Sequence, residues 1–142
     1  MELTSELSAE QIAHELLAVL PRWNRLVSRE MRSEAGNDST MVQLRVLAAL
    51  SEGTLTLSAL ARKREVSLQA ASEQVQSLVV RGWVERVPDM TDRRQSLLML
   101  TDEGAQQLAQ VREHIASRLT PMIERLTDDD TNAIHAGLQA LR

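Results

Sequence analysis

Apolar positions along this chain recur at helical spacing over most of its length and at strand spacing in one place. Ile12, Leu16, Val19, Trp23 and Leu26 lie 4, 3, 4 and 3 residues apart, a heptad-like seam that predicts a long amphipathic helix. Leu17, Leu20, Val27 and Met31 widen that seam, so the helix carries more apolar surface than one neighbour would cover. Ser8-Ala9-Glu10-Gln11 reads as a capping box, in which the Ser8 hydroxyl and Gln11 amide satisfy each other's free backbone N–H groups. Leu7 and Ile12 take the staple positions around it. Gly36-Asn37-Asp38-Ser39 supplies the turn residues that end it.

A second helix is expected from about Met41 to Leu50, with Leu44, Leu47, Ala48 and Leu50 inward, broken by Ser51-Glu52-Gly53. Leu57 to Arg64, then Glu65-Val66-Ser67, then Leu68 to Arg81 read as short helix, tight turn and second helix. Ser67 can cap the second of these, and Gly82 stands where a left-handed terminating residue is wanted. Ala71, Val75, Leu78 and Val79 form its buried stripe, while Gln69, Ser72, Glu73 and Gln76 form the opposite, solvent-facing one.

The strand-length runs WVERV (83–87) and QSLLML (95–100) flank PDMTDRR and predict a hairpin with a long tip. Thr101 then caps a helix whose first turn places Asp102 and Glu103 at the positive end of the dipole. Leu108, Val111, Ile115, Leu119, Met122 and Leu126 give it a continuous stripe, with a kink or break at Pro121. A last helix starts at Thr127-Asp128-Asp129-Asp130 and carries Ile134, Leu138 and Leu141.

A length of 142 residues suits one domain. With no cysteine, disulfides, thiolate ligands and thiol nucleophiles are excluded by inventory. No 18-residue apolar run occurs and the N-terminus is acidic, so a soluble, cytoplasmic protein with no membrane partner is expected. The formal net charge of -4 hides a gradient. Residues 57–101 carry six Arg, one Lys and five acids, giving +2, while the segments on either side are each -3.

Helix, turn, polar-faced helix and hairpin, in that order, is the plan of a winged helix-turn-helix. A B-DNA major groove admits one helix, whose outward side chains must be hydrogen-bonding types to read base edges. Gln69, Ser72 and Gln76 are such types. A basic hairpin tip can reach the neighbouring minor groove or backbone. Arg93 and Arg94 stand at that tip, with Asp92 close enough in sequence to hold one guanidinium in a fixed orientation.

The run LSALARKREVSLQAASEQVQSLVVRGWVERVPDMTDRRQSLLMLTDEG, residues 57–104, resembles the MarR (multiple antibiotic resistance regulator) family of bacterial transcriptional regulators. The resemblance is carried by Leu78 to Arg86 read as L-x-x-x-G-W-V-E-R, by Asp92-Arg93-Arg94, and by Leu100-Thr101-Asp102-Glu103-Gly104. It implies a mainly α fold with a small β wing: a winged helix-turn-helix over residues 40–101, flanked by dimerisation helices over 8–35 and 102–142. It further implies that residues 67–77 enter the major groove, with Ser67, Gln69, Ala70, Ser72, Glu73, Gln76, Arg93 and Arg94 at the DNA and Asp92 orienting Arg94. Two protomers would interlock through Ile12, Leu16, Val19, Ile115, Leu119, Met122, Ile134, Leu138 and Leu141. The family also commonly binds small aromatic or amphipathic effectors, and Arg22, Trp23 and Arg25 could line such a pocket. Where relatives often carry a basic residue on the reading helix this sequence has Glu73, and no Lys or Arg occurs from Glu65 through Val80. A carboxylate there repels phosphate unless it accepts from a cytosine amino group or pairs with an arginine.

His14, His114 and His135 are scattered without metal-ligand spacing, the six methionines read as core filler, and no nucleophile motif or phosphate loop occurs. The expectation is therefore a homodimeric regulator with no cofactor or metal, not an enzyme. It would bind a pseudo-palindromic operator in duplex DNA and be a repressor relieved by a small effector. The alternative is a helical protein–protein interaction module that kept the winged fold and lost DNA reading.

Overall fold

A computed structural model describes residues 8–33, 41–92 and 94–141, without the side chains of 30–33. In chain order the elements are α1 (Ala9–Ser33), α2 (Met41–Ser51), β1 (Leu55–Thr56), α3 (Leu57–Lys63), α4 (Leu68–Val80), β2 (Val84–Pro88), β3 (Ser96–Leu100), α5 (Asp102–Ile123) and α6 (Asp128–Ala140). They group into two compact units, one within residues 1–38 and one within 39–142.

In the first unit, the capping box forms as expected. The Ser8 N–H donates to Gln11 Oε1 at 2.7 Å and the Gln11 N–H donates to Ser8 Oγ at 3.1 Å. Leu7, Gly36-Asn37-Asp38-Ser39 and the side chain of Met31 lie outside the described residues. The helix runs through Pro21, whose ring nitrogen has no hydrogen to offer the Leu17 carbonyl.

In the second unit, α2 is the hub, packing on α3, α4, α5 and β3. Its buried surface is wider than one stripe: Gln43, Leu44, Val46, Leu47, Ala49 and Leu50 are all buried, while Ala48 is only half-buried. A helix covered on several sides loses the one-face periodicity that sequence reading relies on. Gln43 is tolerated inside because its Nε2 donates to Ser77 Oγ of α4 at 3.2 Å. Val46, Leu47, Leu60, Ala71, Val75, Leu78 and Leu98 are fully enclosed and tie α2, α3, α4 and β3 into one core.

Thr56 caps α3, Ser67 caps α4, Thr101 caps α5 and Thr127 caps α6, each hydroxyl accepting the backbone N–H three residues on. Between α3 and α4 the Arg64, Glu65 and Val66 N–H groups donate to the Leu60, Arg62 and Ala61 carbonyls. The turn requires a left-handed residue, and Glu65 fills that place at φ 53°. At the far end of α4, Gly82 takes the left-handed conformation at φ 74°.

The sheet is three-stranded and antiparallel, in the order β1-β3-β2. Leu98 of β3 faces Leu55 on one side and Arg86 on the other. The two-residue β1 is too short to give a period-2 signal in sequence. Of the apolar run in β3 only Leu98 is buried; Leu97, Met99 and Leu100 are half-buried, because the small sheet is covered mainly on one face. Pro88 ends β2 without penalty, since an edge strand can spare its N–H. The break expected at Pro121 falls just past it, with α5 running to Ile123 and Leu126 left in the following turn.

Candidate nucleic-acid interface

Helix α4 presents the polar stripe. Ser67 spends its hydroxyl on the Ala70 N–H at 3.1 Å. Gln69, Glu73 and Gln76 are exposed, and Ala70 and Ser72 are half-buried along the edge of the stripe. Gln69 Nε2 donates to Glu73 Oε1 at 3.2 Å, one helical turn along the same face. Beyond it, Ser72, Glu73, Gln76, Ser77, Val80 and Arg81 line a shallow open groove.

One further contact holds α4 in place. The Arg64 guanidinium in the α3–α4 turn donates to Gln74 Oε1, and its pKa is lowered by partial burial and by the nearby Arg45 of α2. Arg45 and Arg64 therefore concentrate positive charge beside the turn. Neither stands at a position that helical or strand periodicity marks as functional.

The wing is shaped by two aspartates that serve the main chain. Asp89 Oδ1 accepts from the Thr91 N–H at 2.8 Å, the Thr91 hydroxyl at 2.7 Å and the Asp92 N–H at 3.4 Å. Those hydrogen bonds, the Thr91 hydroxyl's first, hold the Asp89 carboxyl below the usual carboxylate pKa. Asp92 Oδ1 accepts from the Arg94 N–H at 3.0 Å and Oδ2 from the Gln95 amide at 2.9 Å. Asp92 thus holds the backbone of Arg94, where the sequence suggested a grip on a guanidinium. Arg94 itself is exposed at the tip, as is Met90. Arg93 lies outside the described residues.

The base of the wing is locked by contacts that no single motif announces. The Thr101 hydroxyl donates to the Gly82 carbonyl at 2.6 Å and accepts from the Gly104 N–H at 3.0 Å, while the Thr101 N–H donates to the Trp83 carbonyl at 3.1 Å. The Arg81 guanidinium lies 5.0 Å from the Trp83 ring centroid. The Gly-Trp and Leu-Thr-Asp-Glu-Gly segments are therefore one structural unit, joining the end of α4 to the start of α5. A glycine inside a helical first turn was the available signal for it.

Arg22, Trp23 and Arg25 stand on α1 in the first unit, with Trp23 half-buried and the two arginines exposed. Ile12, Leu16 and Val19 are exposed on the same helix. On α5 and α6, Met122, Ile134, Leu138 and Leu141 are exposed and Ile115 and Leu119 half-buried. His14 is on α1, His114 on α5 and His135 on α6.

The MarR family model matches residues 38–95, the span from the approach to α2 through the wing. The transcriptional regulator AdcR of Streptococcus pneumoniae is 32% identical over 105 residues, covering 72% of this chain and 72% of that protein. The chain belongs to the MarR family. The multiple antibiotic resistance protein MarR of Salmonella typhimurium is 35% identical over 69 residues, and the match spans 48% of each protein, about half the length of that relative. The solved structure of RV1404 from Mycobacterium tuberculosis superposes with a TM-score of 0.80 at 26% identity, over 99% of this chain and 96% of that one. A mutant MarR of Escherichia coli, solved in complex with operator DNA, superposes with a TM-score of 0.65 at 25% identity over 99% of both chains. MarR-family proteins are transcription regulators, and the fold of this chain is the winged-helix architecture they share. Among the described residues no helix is long and apolar enough to cross a membrane.

Proposed function

We propose that the protein binds duplex DNA as a symmetric homodimer and represses transcription until a small effector releases it. The observation that carries this reading is the capped α4 with its exposed Gln69, Glu73 and Gln76, fixed in one unit with a wing whose tip exposes Arg94. The operator-bound MarR structure supports it by likeness of fold. Residues 40–101 make up the reading region, with Ser67, Gln69, Ala70, Ser72, Glu73 and Gln76 toward the major groove, and Arg94 together with Arg93 at the wing. Arg45 and Arg64, beside the turn that precedes α4, add phosphate-attracting charge.

The helices of 8–35 and 102–142 carry the dimer contact. Ile12 at 41%, Ile134 at 44% and Leu138 at 59% exposure are costly to leave in water. A two-fold pair predicts a pseudo-palindromic operator with half-site centres about 10 bp apart. An aromatic or amphipathic effector recognised by Trp23, Arg22 and Arg25 would act by favouring the spacing of reading helices that does not fit DNA. Such a regulator works in the cytoplasm, where its DNA is.

A second reading, an interaction module that keeps the fold without reading DNA, draws on the exposed Glu73 and the net charge of -4. Titration against duplex DNA at several salt concentrations separates the two. The logarithm of a reader's affinity falls linearly with log salt, by a slope of about 0.9 per phosphate contacted; absent or salt-independent binding would favour the interaction module. Sedimentation of the same samples tests the dimer.

A further inference from the structure

We infer that Glu73 is a positioning residue which turns Gln69 into a one-way reader of adenine. The inference deepens the DNA-reading assignment above and rests on it. Gln69 Nε2 donates to Glu73 Oε1 at 3.2 Å, and both side chains are exposed on the stripe that faces away from the core.

A glutamine amide has two ends of similar shape and opposite hydrogen-bonding sense. A free glutamine on a reading helix can turn either end toward a base, which blurs its choice. A carboxylate beside it removes the ambiguity, because it only accepts. The amide nitrogen must face Glu73, since the reversed orientation would set oxygen against oxygen. When Glu73 takes the Nε2 hydrogen anti to Oε1, the hydrogen left free is the one beside Oε1. Together those two atoms form the adjacent donor and acceptor that match N7 and the N6 amino group of adenine in the major groove.

This gives the carboxylate a use that offsets its repulsion of phosphate. Glu73 also keeps Oε2 outside the hydrogen bond to Gln69, and an acceptor there suits a cytosine amino group at a neighbouring step. The coupled pair thus reads an adenine and favours a cytosine near it, without a cation on the helix between Glu65 and Val80.

The test selects duplexes from a randomised pool with the full-length protein and measures affinity for every single-base variant of the selected half-site. Gln69→Ala identifies the base pair that Gln69 reads, as the position where preference collapses. Glu73→Gln, of the same shape and able to donate or accept, should bind all duplexes more tightly while losing about tenfold of the adenine preference at that position. In a Gln69→Ala background the same change should leave preference there unaltered, a non-additivity that simple charge removal does not produce. Circular dichroism of each variant confirms that the fold is kept. If Glu73→Gln raises affinity uniformly and adenine preference persists, or the two effects add, Glu73 only repels phosphate and the inference is overturned. A wild-type protein that binds but selects no sequence, or does not bind, overturns the DNA-reading assignment itself.

Discussion

Gly104, in the first turn of α5, lies so close under Trp83 that a Cβ on it would sit 2.1 Å from the Trp83 carbonyl oxygen. The obstacle is backbone, and the same carbonyl accepts the Thr101 N–H. Alanine usually gains about 1 kcal/mol over glycine inside a helix. Here the overlap reverses the sign, and Gly104→Ala should lose about 1–3 kcal/mol or more by urea denaturation. Gly137 of α6 is the internal control: nothing lies within 4 Å of its Cβ position. Gly137→Ala should gain about 0.5–1 kcal/mol, and a loss instead would mean that a second copy packs on that spot.

The φ of 53° at Glu65 is a left-handed conformation that costs an ordinary residue about 1 kcal/mol. Glu65→Gly should raise the urea midpoint, while Glu65→Val, whose branched Cβ fits that region worst, should lower it. Equal effects of the two would show that the turn relaxes when the residue changes.

Arg94 reaches solvent from a turn held at its own N–H by Asp92. Arg94→Ala should weaken binding to all duplexes and reduce the slope of log affinity against log salt by about 1, with the sedimentation profile unchanged. Asp92→Ala should give a smaller loss with the slope kept, because it frees the backbone rather than removing the charge. An unaltered Arg94→Ala affinity would remove the wing from the interface.

Asp89 accepts from Thr91 twice, and its carboxyl pKa is depressed. A depressed folded pKa means that the stabilising contribution is complete above the ordinary carboxylate pKa and fades as pH falls through the lowered one. Wing order should thus be insensitive to pH across the neutral range and weaken only in strong acid. NMR titration of the Asp89 carboxyl carbon checks this. Thr91→Val removes the hydroxyl and should move the midpoint back up toward the ordinary value; an unmoved midpoint would assign the depression to the backbone alone.

The candidate site was legible unevenly, and the reason lies in the range of each interaction. The stripe of Gln69, Ser72, Glu73 and Gln76 could be read because α-helical periodicity places those residues together before any tertiary contact forms. The bond from Gln69 to Glu73 was equally within reach, being a contact between residues one turn apart. The role of Asp92 was visible only in outline. A carboxylate beside two arginines suggests an ion pair, yet the tight path of the tip brings the Arg94 N–H to Oδ1 first. Arg45 and Arg64 carried no signal, since their proximity depends on how α2 lies against the α3–α4 turn.

By itself, then, the sequence determined the helices, their caps at Ser8, Ser67 and Thr101, the hairpin and the polar face of α4. Each depends on atoms a few residues apart, and hydrogen-bonding chemistry over that distance is written in residue type alone. Tertiary structure decided the rest. It buried α2 on several sides with Gln43 inside, added β1 to the sheet, put Glu65 in a left-handed turn and set Gly104 against the Trp83 carbonyl. Those outcomes arise where segments distant in the chain compete for the same space, and close packing, which periodicity cannot express, settles which atoms meet.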